Sequence, residues 1–260
     1  MNNKQKTIVS LTSFPEAIPY AAQAIRSVLN GSLLPDKVVL YLDTQKFPGG
    51  MLPPELEALK SECPIFEVRF DPTEMRSYKK LLPALRDFPD DVIVTIDDDI
   101  HYHPDMLRDL VRLHQRFPGA IVAHRVRRVV LNAPYRKWRK YKWYDFIFKK
   151  YHFSRLAMQT GVGGVLYPPH SLDEKMLDPA RFMAMAPTND DIWFWAAAVA
   201  RGTYVVPLPN GQRTAKGIGK PMEYSLMNVN IRSDEDRNRK ALERILEHYP
   251  EIREKVTNEN

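Results

Sequence analysis

The sequence contains little cysteine or glycine and no long apolar run, and each shortage excludes a class of protein or site. Cys63 is the single cysteine, so a framework of internal disulfides is excluded. The 11 glycines form neither G-x-G-x-x-G nor G-x-x-x-x-G-K-[ST], which excludes the common glycine-rich phosphate loops. No stretch reaches about 18 consecutive apolar residues, so no membrane-spanning helix is expected. The first residues also lack the apolar run typical of a signal peptide.

Three consecutive carboxylates follow a short apolar run at residues 92–96. A short, mostly β-branched run is typical of a strand buried on both faces of a parallel sheet. Asp97, Asp98 and Asp99 would then stand at the carboxyl end of the strand, where open α/β sheets bind ligands. Because side chains alternate along an extended chain, we expect Asp97 and Asp99 on one side and Asp98 on the other.

Carboxylates this crowded repel one another unless a cation joins them, and Mg²⁺ and Mn²⁺ prefer oxygen ligands. The acidic triplet therefore predicts a metal ion that in turn holds a phosphate. The competing interpretation is one Asp that caps the following helix and two that are solvated.

Strand and helix patterns alternate along the first half of the chain. This order predicts a parallel sheet with helices on its faces, with the strand at 66–70 near an edge because its polar and apolar residues alternate. A charged amphipathic helix is predicted over 234–255. The other predicted strands are 7–11, 37–42, 92–96 and 121–124, and the other predicted helices are 21–29, 53–61, 77–86 and 104–117.

Basic and aromatic residues are interleaved over residues 125–153. Such a mixture suits a membrane interface, an anionic acceptor or nucleic acid. The alternative is an exposed helix whose aromatic side chains pack on the body of the domain. The net charge is only +6 and no known nucleic-acid module is present, so we expect no nucleic-acid partner.

Three later patterns add candidate site residues. Glycines at 161, 163 and 164 indicate close approach of a backbone or ligand, or a plain bulge. Asn189-Asp190-Asp191 precedes an apolar stretch, and a helix N-cap needs only one such residue, which leaves an acid for chemistry. The Gly- and Lys-rich loop 211–220 is a candidate to close over a phosphate, or a plain surface loop.

Four segments, in their order along the chain, resemble the GT-A glycosyltransferases, and among these the family-2-like bacterial enzymes that use nucleotide sugars. Residues 8–15 resemble the first strand and turn of the family, and residues 24–43 resemble a pattern that ends in a base-contacting Asp. Residues 97–107 resemble the D-x-D motif and the helix after it. Residues 163–191 resemble the acceptor-side glycines and a Glu-Asp pair.

The resemblance implies an α/β fold of the GT-A (Rossmann-like) class, with a mostly parallel central sheet, helices on both faces, a basic-aromatic insertion and a C-terminal helix. It implies one catalytic domain over residues 1–260. Its parts would be a nucleotide-binding half (1–124), the basic-aromatic segment (125–158), an acceptor-side half (159–232) and the C-terminal helix (233–260).

The resemblance also implies a role for particular residues. Asp43 would accept a hydrogen bond from the base, Asp99 would be the main metal ligand, and Asp191 would be the general base beside Asp190, which stands where the family often has Glu. The implied nucleotide-binding residues are Thr12, Ser13, Pro15, Asp43, Lys79, Asp97 and Asp98; the metal ligands are Asp97 and Asp99; the acceptor-side residues are Gly163 and Gly164; the catalytic residues are Asp190 and Asp191.

Many relatives have a downstream His that contacts the metal or a phosphate, and neither His170 nor His248 fits that place. Lys79, Lys80 and Lys216 are the alternatives for the phosphates. The Q-x-x-R-W pattern of processive synthases is missing, so we expect a single transfer per encounter.

The predicted activity is metal-dependent, hexosyltransferase-like transfer, with Mn²⁺ or Mg²⁺ as cofactor and inversion of configuration. The donor is a nucleoside-diphosphate sugar, with UDP favoured, and the acceptor is a glycan or lipid-linked molecule in polysaccharide biosynthesis. The alternatives are a sugar-phosphate nucleotidyltransferase and a non-enzymatic basic protein that binds membranes or nucleic acid. A cytoplasmic location is expected, with peripheral contact to the inner face of the membrane through residues 125–153.

Overall fold

The structure is a computed structural model that describes residues 5–142, 144–145, 153–209, 215–221 and 235–259. None of the helices within these ranges is both long and apolar enough to cross a membrane. The strands are β1 (Thr7–Thr12), β2 (Lys37–Asp43), β3 (Phe66–Asp71), β4 (Val92–Thr95), β5 (Ile100–Tyr102), β6 (Ile121–Ala123), β7 (Val126–Arg128), β8 (Ala157–Gln159), β9 (Val165–Tyr167), β10 (Val205–Pro207) and β11 (Ala215–Gly217). The helices are α1 (Ile18–Leu29), α2 (Pro54–Glu62), α3 (Leu82–Asp87), α4 (Met106–Arg116), α5 (Pro179–Met185), α6 (Asp190–Arg201), α7 (Arg237–His248) and α8 (Pro250–Thr257).

A seven-stranded sheet in the order β10-β6-β9-β4-β1-β2-β3 forms the centre of the protein. Strands β1, β2, β3 and β4 pair in parallel, as do β6 and β10, whereas β9 runs antiparallel to both of its neighbours. The predicted mostly parallel α/β sheet is therefore confirmed, including the edge position of β3.

Both faces of this sheet are apolar because its strands carry apolar residues at successive positions. In β1, Ile8 belongs to one buried cluster and Val9 to the other. All four residues of β4 are buried, as the apolar run predicts. Residues of α1, α2 and α4 cover one face, and residues of α5, α6, α7 and α8 cover the other, so helices lie on both faces as expected.

Two predicted helices are each interrupted at a proline. The region predicted as one helix over 77–86 contains a 3-10 turn, Arg76–Lys80, followed by α3, which has Pro83 in its first turn. The predicted C-terminal helix is split into α7 and α8 by Pro250, which begins α8. Proline lacks the N–H that continues a helix and suits a first turn, so each proline starts a new helix.

Two small sheets not predicted from the sequence lie beside the central one. Strand β11 pairs antiparallel with β5, which directly follows the acidic triplet. Strand β7 pairs antiparallel with β8. The first pair brings residues 215–221 back to the triplet.

The described part of the basic-aromatic segment packs on the body of the protein. Tyr135, Trp138 and Tyr141 are buried in the larger core cluster. The described part of the segment contains a 3-10 turn, Tyr135–Lys137, and a bridge between Arg127 and Lys140. The membrane contact predicted for this segment stays a prediction, since residues 143 and 146–152 lie outside the described ranges.

Candidate active site

The predicted site residues gather at one edge of the central sheet. Because β1 to β4 are parallel, their carboxyl ends share that edge, and with them Ser13, Asp43 and the acidic triplet. Strand order reverses between β1 and β4, which is where α/β sheets bind ligands. Because β9 is antiparallel, the segment before it, residues 160–164, returns to the same edge.

Asp98 and Asp99 hold the same cation. The Nζ of Lys220 lies 2.7 Å from Asp98 Oδ1 and 3.1 Å from Asp99 Oδ2. Ser13 Oγ donates to Asp98 Oδ2 at 2.7 Å, which joins the ends of β1 and β4. Burial raises the pKa of Asp98, although Lys220 and Ser13 act in the opposite direction.

This grouping differs from the expectation that Asp97 and Asp99 share one side. Strand β4 ends at Thr95, and Asp98 and Asp99 lie in a turn. The twofold alternation of a strand does not extend into a turn, so Asp98 and Asp99 converge and Asp97 faces Lys80.

Lys220 is absent from the predicted site residues. It ends the Gly- and Lys-rich loop marked as a candidate phosphate lid, and β11 together with an Ile218 N–H bond to the Asp99 carbonyl (2.9 Å) brings it to the triplet. Lys216, the residue predicted from that loop, is exposed in β11. Residues 210–214 of the loop lie outside the described ranges.

Lys80 joins the triplet to the start of α6. Its Nζ lies 2.8 Å from Asp97 Oδ1 and 2.9 Å from Asp190 Oδ2, and Ser10 Oγ donates to its carbonyl at 2.6 Å. Burial alone would lower the pKa of Lys80, but Asp190, Asp97 and Asp191 together raise it well above its usual range. Lys80 is therefore a fixed positive charge among three carboxylates. We call Lys80, Asp97 and Asp190 the Lys80 cluster.

Gly161 provides the space for this cluster, and sequence reasoning missed its role. A Cβ at this position would lie 2.8 Å from Lys80 Nζ and 3.0 Å from Asp97 Oδ1. Its N–H donates to Asp191 Oδ1 at 3.0 Å. Gly161 thus places Asp191 next to the Lys80 cluster.

Burial raises the pKa of Asp191 to about 7, and the nearby Asp190 adds to the effect. A carboxylate with a pKa near neutral is suited to accept a proton at physiological pH. Asn189 occupies the N-cap position of α6, but its side chain does not cap the helix; its Nδ2 donates to Asn238 instead. The two acids after it also make other contacts, since Asp191 accepts from the Gly161 N–H and Asp190 pairs with Lys80.

The remaining nucleotide-side residues are largely paired within the protein. Lys79 is buried and donates to Asp43 Oδ2 at 3.0 Å and to the Asp71 carbonyl at 2.9 Å. Thr12 donates to the Tyr41 carbonyl at 2.8 Å. Pro15 is exposed at the start of a 3-10 turn. Asp43 lies at the predicted place, the end of β2, and is hydrogen-bonded to Lys79.

Gly163 and Gly164 are explained by packing. A Cβ on Gly163 would lie 2.8 Å from the Cβ of His124, and Gly164 has a φ of +90° beside Met106. His124 is buried, its Nε2 is 2.9 Å from the Met106 carbonyl, and burial lowers its pKa to about 4. These two glycines let the chain enter β9 against α4, and their predicted acceptor contact stays a prediction.

Within the described ranges, no group of three or more His, Cys, Asp or Glu side chains is arranged to hold a metal ion. Asp98 and Asp99 nevertheless bind a cation, the ammonium of Lys220. Mg²⁺-type sites at phosphates use one or two protein carboxylates and complete the shell with substrate and water oxygens. The donor set therefore fits a hard divalent cation that arrives with a phosphate ligand.

Two surface hollows, of about 400 and 540 Å³, lie away from this cluster, and neither is lined by any of the predicted site residues. Both are lined in part by His170.

No family model matches the chain, and no curated protein matches it. Among solved structures, the chain is similar to the mannosyltransferase PcManGT from Pyrobaculum calidifontis in complex with GDP-Man and Mn²⁺. The TM-score is 0.54 at 13% identity, over 99% of this chain and 75% of that one. This likeness and the mixed seven-stranded sheet show a Rossmann-like glycosyltransferase fold.

Proposed function

We propose that the protein is a metal-dependent glycosyltransferase that moves a sugar from a nucleoside-diphosphate sugar to a glycan or lipid-linked acceptor. The observation that carries this proposal is the pair of carboxylates, Asp98 and Asp99, that share a cation at the switch point of the sheet. A proton acceptor, Asp191, stands across the Lys80 cluster from them. The structural neighbour, which was solved with GDP-Man and Mn²⁺, supports the same assignment.

Mn²⁺ or Mg²⁺ would be held at the triplet, where it would offset charge on the departing diphosphate. The resemblance implies Asp97 and Asp99 as ligands. The position of Lys220 favours Asp98 as the partner of Asp99, because Asp97 is already paired with Lys80. Ser13 would orient Asp98 through its 2.7 Å hydrogen bond.

Asp191 would act as the general base that removes the proton from the acceptor hydroxyl. The Gly161 N–H would hold one of its oxygens in place, and Lys80 would balance the charge of Asp97 and Asp190 so that Asp191 can ionise near neutral pH. Once Asp191 takes its proton, the acceptor oxygen would attack the anomeric carbon from the face opposite the diphosphate, and the bond to the diphosphate would break as the new bond forms, which gives an inverting transfer.

A thermal-shift screen of GDP, UDP and other nucleoside diphosphates, with and without Mn²⁺, tests the proposal. We expect at least one nucleotide to raise the melting temperature only when Mn²⁺ is present, because a ligand that binds the folded state stabilises it. Asp99→Asn should abolish the Mn²⁺-dependent rise, whereas Asp105→Asn, at a partly buried acid outside the triplet, should keep it. Absence of any Mn²⁺-dependent nucleotide effect in the wild type would overturn the proposal.

The resemblance favours UDP and the structural neighbour holds GDP-Man, so the screen also decides between these two bases. Binding to oligonucleotides or vesicles with no nucleotide effect would instead support the non-enzymatic alternative.

A further inference from the structure

Strand β7 and the segment around Lys140 form a short antiparallel ribbon. The Arg128 N–H donates to the Arg139 carbonyl at 2.8 Å, and the Tyr141 N–H donates to the Val126 carbonyl at 3.0 Å. These two bonds flank Arg127 and Lys140, which form the bridge between them. Such a non-hydrogen-bonded pair places its two side chains close together on the same face.

Arg125 and Lys142 lie two residues further along, in the register that continues this pairing. Side chains two positions apart in extended chain share a face, and the Thr160 N–H bond to the Arg125 carbonyl (2.9 Å) continues the β7–β8 pairing through Arg125. We call Arg125, Arg127, Lys140 and Lys142 the cation square. Its members are like charges at positions where opposite charges would be stabilising.

Within the described ranges, no carboxylate lies within ion-pair distance of any member of the cation square. Arg139, on the other face of the ribbon, shows the contrast, because it pairs with the buried Asp145 at 2.7 Å. The Nε atoms of Arg125 and Arg127 are buried without a hydrogen-bond partner. Buried donors left without an acceptor are costly, and these two add to the unbalanced charge of the square.

The guanidinium of Arg127 is already held in place. It donates to the Trp138 carbonyl at 2.7 Å and lies over the Tyr135 ring, 4.7 Å from its centroid. Burial lowers the pKa of Lys140, and the charges of Arg125, Arg127 and Lys142 lower it further. Orientation before binding reduces the entropy cost of holding a ligand.

The cation square is next to the proposed base. Thr160 bonds to the carbonyl of Arg125, and the next residue, Gly161, donates to Asp191. The square therefore lies on the acceptor side of the cluster, while Lys220 and the triplet lie on the donor side.

We propose that the cation square binds an anionic group, a phosphate or a carboxylate, that the acceptor carries near the hydroxyl delivered to Asp191. The assignment of this anion to the acceptor rests on the proposed function, whereas the anion site itself does not depend on it. The shared chemistry is a compact anion with several acceptor oxygens, which suits bidentate guanidinium donors.

The test measures the melting temperature against inorganic pyrophosphate and, separately, against methyl glucuronide, in EDTA so that the triplet holds no divalent cation. Methyl glucoside is the neutral control ligand. The double variant Arg127→Gln/Lys140→Gln should bind one or both anions about tenfold more weakly, as expected for lost charged hydrogen bonds. About ten times more anion would then be needed for the same rise in melting temperature. Whichever anion loses its response identifies the source as phosphate or carboxylate.

Arg128→Gln is the matched control, since this residue lies in the same strand on the opposite face and should leave the anion response unchanged. Lys140→Gln alone separates binding from folding. If the square is built for a ligand, this variant melts about 1 to 4 °C higher without anion because repulsion is relieved. An equal anion response in the wild type and the double variant, or a lower melting temperature for Lys140→Gln, would overturn the inference.

Three further outcomes have distinct meanings. An intact Mn²⁺-dependent nucleotide effect together with an unchanged anion response would overturn this inference and leave the proposed function standing. Anion binding at the square with no nucleotide effect in the wild type would overturn the proposed function. If the double variant loses binding only to phosphatidylglycerol vesicles, the square is a membrane contact and the acceptor role is refuted.

Discussion

Lys80 Nζ lies 2.9 Å from Asp190 Oδ2, and this ion pair connects the acids after β4 with the acids that begin α6. The same nitrogen is 2.8 Å from Asp97. Lys80 and Asp190 are both largely buried, so solvent screens their charges weakly. A single lysine thus fixes the distance between the donor and acceptor sides of the proposed site.

Lys80→Met should destabilise the protein strongly. Removal of one partner from a buried pair leaves uncompensated charge and typically costs about 3 to 5 kcal/mol. We expect a decrease of about this size in the free energy of unfolding at pH 7, measured by urea denaturation. Lys80→Met/Asp190→Asn should recover part of the loss, because it also removes a stranded carboxylate.

The control for this prediction is Lys37→Met, which breaks the half-exposed pair with Glu67. Exposed pairs contribute about 0 to 1 kcal/mol. If Lys80→Met costs no more than Lys37→Met, Lys80 does not hold the two sides of the site together.

Periodicity and β-branching were sufficient to predict the sheet. The run 92–96 predicts a doubly buried strand because its residues are apolar or β-branched at every position, and β4 is buried throughout. Pro83 and Pro250 explain why the helices predicted over 77–86 and 234–255 are each broken, since a break depends on where the proline falls within a turn. The pairs β5–β11 and β7–β8 were beyond prediction because each of their three-residue strands contains a polar residue and lacks an apolar run.

The site was predictable where a motif directly follows a strand. Asp97 to Asp99 lie at the predicted sheet edge, but the side-chain directions differ because a turn, not a strand, carries them. Lys220 could not be assigned, since its place depends on the pairing of β11 with β5 across more than a hundred residues. In the sequence alone, Gly161 is indistinguishable from Gly163 and Gly164.

Lys220→Gln should increase the affinity for Mn²⁺ by about tenfold if Asp98 and Asp99 form the metal site, because the ammonium no longer competes for their oxygens. Free Mn²⁺ can be measured by electron paramagnetic resonance, so the test does not depend on activity. Lys216→Gln, an exposed lysine in β11, should leave the affinity unchanged. Weaker Mn²⁺ binding in Lys220→Gln would show that the lysine supports the site.

Gly161→Ala should disturb the Lys80 cluster without straining the backbone. The added Cβ would lie 2.8 Å from Lys80 Nζ and 3.0 Å from Asp97 Oδ1, so the ammonium must move away from its partners. We expect a loss of about 1 to 3 kcal/mol in the free energy of unfolding, typical of overpacking. Gly119→Ala, where a Cβ meets nothing within 4 Å, is the control and should be nearly neutral.

The stability of the protein should depend on pH through Asp191. Burial raises the pKa of this carboxyl to about 7 from an ordinary value of 3.8. Between these values the folded state binds more protons than the unfolded state, so the free energy of unfolding falls as pH rises, by at most about 1.4 kcal/mol per pH unit. Urea denaturation from pH 4 to 8 should show this fall in the wild type and a smaller one in Asp191→Asn. Identical pH profiles would refute the raised pKa.

Asp191→Asn should separate donor binding from transfer. The substitution preserves the size of the side chain and its ability to accept from the Gly161 N–H, so the Mn²⁺-dependent thermal shift with nucleotide should persist. Transfer should fall by about 10²- to 10⁴-fold, the usual effect of losing a positioned general base. Asp190→Asn is the matched comparison, because this acid lies one residue away and is committed to Lys80; it should alter stability more than the pH dependence of transfer. Transfer that stays near the wild-type rate in Asp191→Asn would remove this residue from the chemistry and, with it, the reason to expect inversion.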